Sequence, residues 1–291
     1  PRGGHEPALV AHSSSRLASG AFLGGLLKQA MSTKVRVKFY CSYDGAGFSG
    51  WQRQAGEART VQKVFEDALS RVCNTKTNVT ASGRTDAGVH ARIQVVHADV
   101  PVARRSLIES GRFVMALNSN LPGDVRIHRV EEVAPDFHAQ RHVQRKTYLY
   151  FIDTSPVQVP SLRKYAWHLR LPMDWTAIEE ATRALKGTHN FEAFSDSDRS
   201  TKTTVRTLYE AHWGRAAAGP FGPADLKVLR LTGSGFLKHM VRSIVGTLVK
   251  VGNKGADPDL VARSLATPQR HLVGATAPSQ GLWLWDILYL T

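Results

Sequence analysis

Residues 34–43 alternate strictly. Val35, Val37, Phe39, Cys41 and Tyr43 share one face, and Lys34, Arg36 and Lys38 share the other. A period of two predicts a half-buried strand. The period then changes. After Thr60, a suitable helix cap, Val61, Val64, Phe65, Ala68, Leu69 and Val72 fall on one stripe at helical spacing. Asn78–Ala81 predicts a short strand, and Val89–Val100 a longer one in which Val89, Ala91, Ile93 and Val95 alternate. Leu107–Leu117 predicts a helix and Val125–Val133 a strand. The order is β-α-β-β-α-β, the ferredoxin-like pattern.

The second half repeats the idea. Strands are predicted at 145–153 and 164–169, then a helix over 174–186 with Asp174 as cap and Gly187 as stop. Strands follow at 203–213 and 225–232, separated by a Gly/Pro/Ala run, 214–224, that predicts a hairpin loop. A helix over 236–252 carries Phe236, Leu237, Met240, Val241, Ile244, Val245 and Leu248 on its buried side. A short helix is predicted from Asp257-Pro258, and the Trp- and Leu-rich segment Leu282–Leu290 predicts a last strand, with Trp283 and Trp285 assigned to the core. The fold class expected is α+β: two ferredoxin-like (RRM-like) αβ halves, 34–135 and 136–291, forming a mixed, mostly antiparallel sheet. A cleft between two such halves is a common place for a ligand. Residues 1–33, rich at first in Ser, Gly and Ala, are expected to be an extension outside the fold.

The net charge of +14 changes the picture. So one-sided a balance points to a partner with many negative charges, nucleic acid first. Anionic membrane is the weaker rival, because the chain has no apolar run of membrane-spanning length. Cys41 and Cys73 form no metal-binding or redox pair and sit in apolar periodic segments. Buried, reduced thiols suit a reducing compartment. The cytoplasm is expected, or an organelle if residues 1–30, with arginines and few acids, are a targeting peptide.

The chemistry is concentrated in Gly83-Arg84-Thr85-Asp86-Ala87-Gly88-Val89-His90. One carboxylate stands among small residues, and glycines on both sides let the backbone turn tightly. By itself this loop could equally be an Asx-type turn between strands. No P-loop and no nucleophile-elbow pattern occurs, and the histidines form no metal-ligand set. Asp86 is thus a lone carboxylate in a basic setting, suited to act as nucleophile or general base. Arg145, Lys146, Tyr148 and Tyr150 mix bases and aromatics on one predicted strand, as nucleic-acid contacts do. Tyr in the core of a surface strand fits as well. Lys238, His239 and Arg242 belong to the predicted helix from Phe236, with Arg242 among apolar neighbours and able to point toward the cleft.

Together these pieces resemble the TruA-type tRNA pseudouridine synthases. Gly83–Ala91 is similar to their catalytic motif. Phe48-Ser49-Gly50-Trp51-Gln52 with Gln54, and Thr60-Val61-Gln62, resemble the blocks before it. Further matches are Phe137-His138-Ala139, Lys146-Thr147-Tyr148, Gly187-Thr188-His189-Asn190-Phe191 with Phe194, and Val205-Arg206-Thr207. Phe236-Leu237, His239-Met240-Val241-Arg242 with Gly246, and Ala277-Pro278 with Gly281-Leu282 complete the series. The resemblance runs from about Val35 to Tyr289. It departs at Gln140, where the family commonly has arginine, with Arg141 next and His142 and Val143 also unusual.

The resemblance implies isomerisation of uridine to pseudouridine in tRNA, at positions 38–40 of the anticodon arm, without cofactor or metal. It implies Asp86 as nucleophile on a flipped-out uridine, Tyr148 stacking on the uracil, and support from Arg84 and Arg242, the latter paired with Asp86. Lys146 and Lys238 are assigned to RNA contact, and a homodimer is expected. Two rivals use the same features: a tRNA-binding or chaperone protein without catalysis, and a metal-dependent RNA hydrolase built on Asp86, Asp44 and Asp99.

Overall fold

The computed structural model describes residues 33–196, 203–217, 225–253 and 256–290. The proposed extension therefore lies almost wholly outside the described residues. The strands are β1 (Lys34–Tyr43), β2 (Thr80–Ala81), β3 (His90–Pro101), β4 (Val125–Glu132), β5 (Val143–Asp153), β6 (Trp167–His168), β7 (Gly187–Asn190), β8 (Val205–Ala217), β9 (Asp225–Gly233) and β10 (Leu282–Tyr289). The helices are α1 (Val61–Cys73), α2 (Arg105–Glu109), α3 (Arg112–Asn120), α4 (Trp175–Arg183), α5 (Met240–Val251) and α6 (Leu260–Ala266).

The ten strands among the described residues join one sheet, in the order β4-β1-β3-β10-β5-β9-β8-β7, with β2 beside β3 and β6 beside β5. Pairing is antiparallel except for β10 with β3 and β6 with β5. The mixed, mostly antiparallel α+β class expected from the sequence is the one observed. The C-terminal strand is the joint. Leu282, Trp283 and Leu284 pair with Tyr150, Leu149 and Tyr148, while Trp283 and Leu284 also pair with His90 and Ala91. That parallel contact ties the strand leaving the Asp86 turn to the second half of the chain.

The alternation of β1 puts Val37, Phe39 and Cys41 into the core, where Phe39 meets Phe65 of α1 edge-on at 5.4 Å and Phe113 of α3 at 6.3 Å. Tyr148, Tyr150, Leu282 and Leu284 join the same apolar cluster as Ile244, Val245 and Leu248 of α5. Thr60 caps α1 by accepting from Lys63 N, and Asp174 caps α4 by accepting from Ala177 N.

Several expectations shift, each for a local reason. The helix predicted over Leu107–Leu117 is broken by Gly111 at φ +70°, giving α2 and α3. Gly187, at φ +120°, opens β7, a strand the apolar pattern did not announce. The strand expected over 164–169 narrows to Trp167–His168. The β8–β9 hairpin runs on to Ala217, into the predicted loop, and residues 218–224 lie outside the described residues. The last helices start later, at Met240 and Leu260, so Lys238 and His239 precede α5 rather than belong to it. Trp283 and Trp285 are half-buried and point away from the main core. They line a groove of about 850 Å³ together with Tyr165, Leu162 and Arg92.

Candidate active site

Asp86 lies in the turn between β2 and β3, and the backbone of that turn is held from several sides. Trp51 N donates to Thr85 O at 3.0 Å, and Thr85 Oγ1 shares a 2.8 Å hydrogen bond with the buried Tyr43 hydroxyl. Gln94 Nε2 donates to Gly83 O at 2.8 Å, while Ser82 Oγ donates to Gln94 Oε1 at 2.6 Å. Gly50 crosses over the turn at φ +93°, and a Cβ there would stand 2.9 Å from Thr85 O. Gly88, at φ +77°, supplies the left-handed residue that closes the turn.

The carboxylate meets cationic groups from the far end of the chain. Arg242 Nη1, from the first turn of α5, is 3.4 Å from Asp86 Oδ2, and Arg242 Nε donates to Ala277 O at 2.7 Å. His239 Nε2 lies 3.4 Å from the same Oδ2, and its Nδ1 is 2.6 Å from Asp196 Oδ2. The Asp86 side chain keeps 24% of its surface exposed, so a substrate can reach it. Tyr148 on β5 is buried and packs edge-on against Phe236, ring centroids 4.9 Å apart. Burial, followed by the charge of Asp86, raises its phenol pKa, which leaves a neutral hydroxyl at neutral pH.

The remaining residues singled out from the sequence divide clearly. Arg84 is exposed beside Asp86 and has no hydrogen-bond or ion-pair partner among the described residues. The Lys238 side chain is likewise exposed. Lys146, assigned to RNA contact, turns inward: its Nζ donates to Ser82 O at 2.7 Å at the neck of the Asp86 turn. Gly83 leaves room for it, since a Cβ there would stand 2.9 Å from Nζ. Burial, with Arg206 nearby, brings the Lys146 pKa down to about 8. Its hydrogen bond goes to the protein backbone at Ser82, whereas the sequence assigned the residue to RNA contact.

His90 does not face Asp86. Gly45 N donates to its Nδ1 at 3.0 Å, its Nε2 donates to Lys164 O at 2.8 Å, and its ring stacks on Trp283 at 4.4 Å. The acids of the hydrolase reading are engaged elsewhere. Asp99 takes a two-pronged bond from Arg36, and Asp44 accepts from Ala46 N and the Tyr165 hydroxyl. Among the described residues no cluster of three His, Cys, Asp or Glu side chains forms a metal site. Ala139 is pinned to the sheet by His97 and Tyr289, which leaves Gln140 and Arg141 exposed.

The pattern of hydrophobic positions did not reveal the chain from Asp86 through His239 to Asp196 and Arg270. Asp196 and Arg270 lie in loops without periodicity, and only the block His239–Arg242 signalled that part of the site.

The site is a partly exposed carboxylate held between an arginine and a histidine on a mixed, mostly antiparallel α+β sheet. The chain matches the profile described as tRNA pseudouridine synthase over residues 40–140 and 181–289. It belongs to that family. It is 40% identical over 257 residues to tRNA pseudouridine synthase A of Bacillus pumilus, covering 88% of this chain and 99% of the relative. The Geobacillus kaustophilus protein of the same name is 42% identical, with 87% and 94% covered. That of Bacillus subtilis is 39% identical, with 88% and 99% covered.

Proposed function

We propose that this chain isomerises uridine to pseudouridine in tRNA with Asp86 as nucleophile. The observation that carries the reading is the Asp86 carboxylate itself. It is partly exposed, held by Arg242 and His239 and set near Tyr148, in a chain of this family. The reaction breaks the bond from ribose C1′ to uracil N1 and forms one from C1′ to C5. The C5 proton is lost and N1 gains one, so there is no net oxidation. Asp86 forms a transient bond to the ribose or the base. A stacked uridine is out of its reach, so the nucleotide is flipped into the cleft. Tyr148 then lies under the uracil, and the unpaired Arg84 meets the displaced strand.

The target uridines are positions 38–40 of the anticodon arm. The two αβ halves, 34–135 and 136–291, meet at the β3–β10 pairing and share the cleft, Asp86 from one and Tyr148 and Arg242 from the other. The enzyme works as a homodimer, and the aromatic groove around Trp283 and Trp285 supports a second copy. The buried free thiols Cys41 and Cys73 fit a cytoplasmic enzyme, and among the described residues no helix is long and apolar enough to cross a membrane. Tritium release from tRNA labelled at uridine C5 tests the reading. Wild-type protein releases tritium and Asp86→Ala does not, while both bind tRNA with similar affinity. Wild-type release by Asp86→Ala would refute it.

A further inference from the structure

One imidazole stands between two carboxylates at the mouth of the site. His239 Nδ1 is 2.6 Å from Asp196 Oδ2, an ion-pair contact when the ring is protonated. Its Nε2 is 3.4 Å from Asp86 Oδ2. Asp196 is anchored in turn, 3.6 Å from Arg270 Nη2. Arg270 Nη1 reaches Ser243 Oγ at 3.1 Å and Ala193 O at 3.3 Å, which ties the chain to α5 and to the loop before Asp196.

The backbone of His239 is itself unusual. At φ +61° it is left-handed, a conformation otherwise taken among described non-glycine residues only by Asn74. Such a conformation persists where the surroundings dictate it and is concentrated at functional sites. Here it brings the ring to Asp86 one residue before α5 begins, and Arg242 in the first turn reaches the same oxygen. Both contacts fall on Oδ2. Among the described residues, the side-chain hydrogen bond to Asp86 falls on Oδ2 and none falls on Oδ1.

We propose that His239 is a positioning residue for the nucleophile: bridging Asp196 and Asp86 through its two ring nitrogens, it holds Oδ2 beside Arg242 and leaves Oδ1 as the attacking oxygen. This rests on the assignment of Asp86 as nucleophile. Three contacts, from Arg242, His239 and the turn backbone, then determine where the free oxygen stands. A displacement of about 1 Å in such a group costs on the order of a hundred-fold in rate.

Two substitutions separate the two ring nitrogens. In His239→Asn the amide lies near the position of Nδ1, toward Asp196, and asparagine tolerates the left-handed backbone. In His239→Gln an amide nitrogen comes near the position of Nε2, toward Asp86. Single-turnover tritium release is measured for both, together with tRNA Kd, KM and melting temperature, with Asp86→Ala in the same series. His239→Asn should lower the rate about ten- to a hundred-fold with Kd, KM and melting temperature unchanged. His239→Gln should recover part of that loss, and Asp196→Ala should slow the reaction as His239→Asn does. A wild-type rate in His239→Asn overturns the inference, as does a loss confined to KM or melting temperature, or no recovery in a stable His239→Gln. Activity in Asp86→Ala would sink the nucleophile reading and this inference with it. An inactive Asp86→Ala beside a fully active His239→Asn would sink this inference alone.

Discussion

Arg242 and Asp86 are 156 residues apart in the chain, and Nη1 of one lies 3.4 Å from Oδ2 of the other. The same guanidinium donates through Nε to Ala277 O at 2.7 Å. One planar group therefore fastens the start of α5, the segment leading into β10 and the Asp86 carboxylate together. Its position in the first turn of α5 is what brings it to Asp86.

Arg242→Lys should keep the positive charge and lose the geometry. A lysine ammonium is a point charge on a flexible stem and cannot serve Ala277 O and Asp86 as a fork does. We expect kcat to fall about a hundred-fold with tRNA Kd little changed. Steady-state kinetics beside a filter-binding titration check this, and a loss expressed only in Kd would contradict the role.

Gly50→Ala should damage the site more than Gly88→Ala. A Cβ at Gly50 meets the backbone, with Thr85 O at 2.9 Å and Ala87 N at 3.2 Å, whereas at Gly88 it meets the Ser279 side chain, which can rotate. Both positions also require a left-handed backbone, a cost of about 1–2 kcal/mol for an L side chain. Thermal unfolding should show both variants destabilised, and tritium release should fall much further in Gly50→Ala.

Lys146 predicts a pH-dependent stability term. Burial lowers its pKa to about 8 from the ordinary value of 10.5. Between those values the unfolded chain holds the proton and the folded chain does not, so stability attributable to this group rises with pH. Below about pH 8 the charged form is buried and the contribution is least favourable. The stability of wild type relative to Lys146→Met should therefore increase from about pH 8 to about pH 10. Denaturant melts of both proteins across that range read the difference, and a flat or falling difference would be wrong for a buried ammonium.

Salt dependence separates the three basic residues assigned from sequence. Each phosphate contact contributes to the slope of log K against log salt. Arg84→Ala and Lys238→Ala should each reduce that slope by about one, whereas Lys146→Met should leave it unchanged because its hydrogen bond goes to Ser82 O. Fluorescence-anisotropy titrations with tRNA over a range of salt measure all three.

The alternation of β1, the stripe of α1 and the Trp/Leu pattern of β10 were legible because each records burial on one face of a local element. The Gly83–His90 loop was legible because its small residues, single acid and flanking glycines are contiguous. The opening of β7 at Gly187 and the break at Gly111 were not, because glycine does not announce whether its left-handed backbone will end a helix, open a strand or interrupt one. The inward direction of Lys146 was not legible for a related reason. Composition shows a base beside aromatics, but the direction of its side chain depends on which neighbouring backbone carbonyl needs a donor.

Periodicity, charge and an ordered series of motifs were enough to give most of the elements, the α+β class and Asp86 as the candidate acid. They depend on neighbours in the chain, and alternation along one strand is a local property. The insertion of β10 between β3 and β5, the meeting of Asp86 with Arg242 and His239, and the anchoring of His239 by Asp196 arise only on folding. Contacts between groups tens to hundreds of residues apart leave no period in the sequence. They are selected by packing and charge once the sheet has brought the two ends of the chain together.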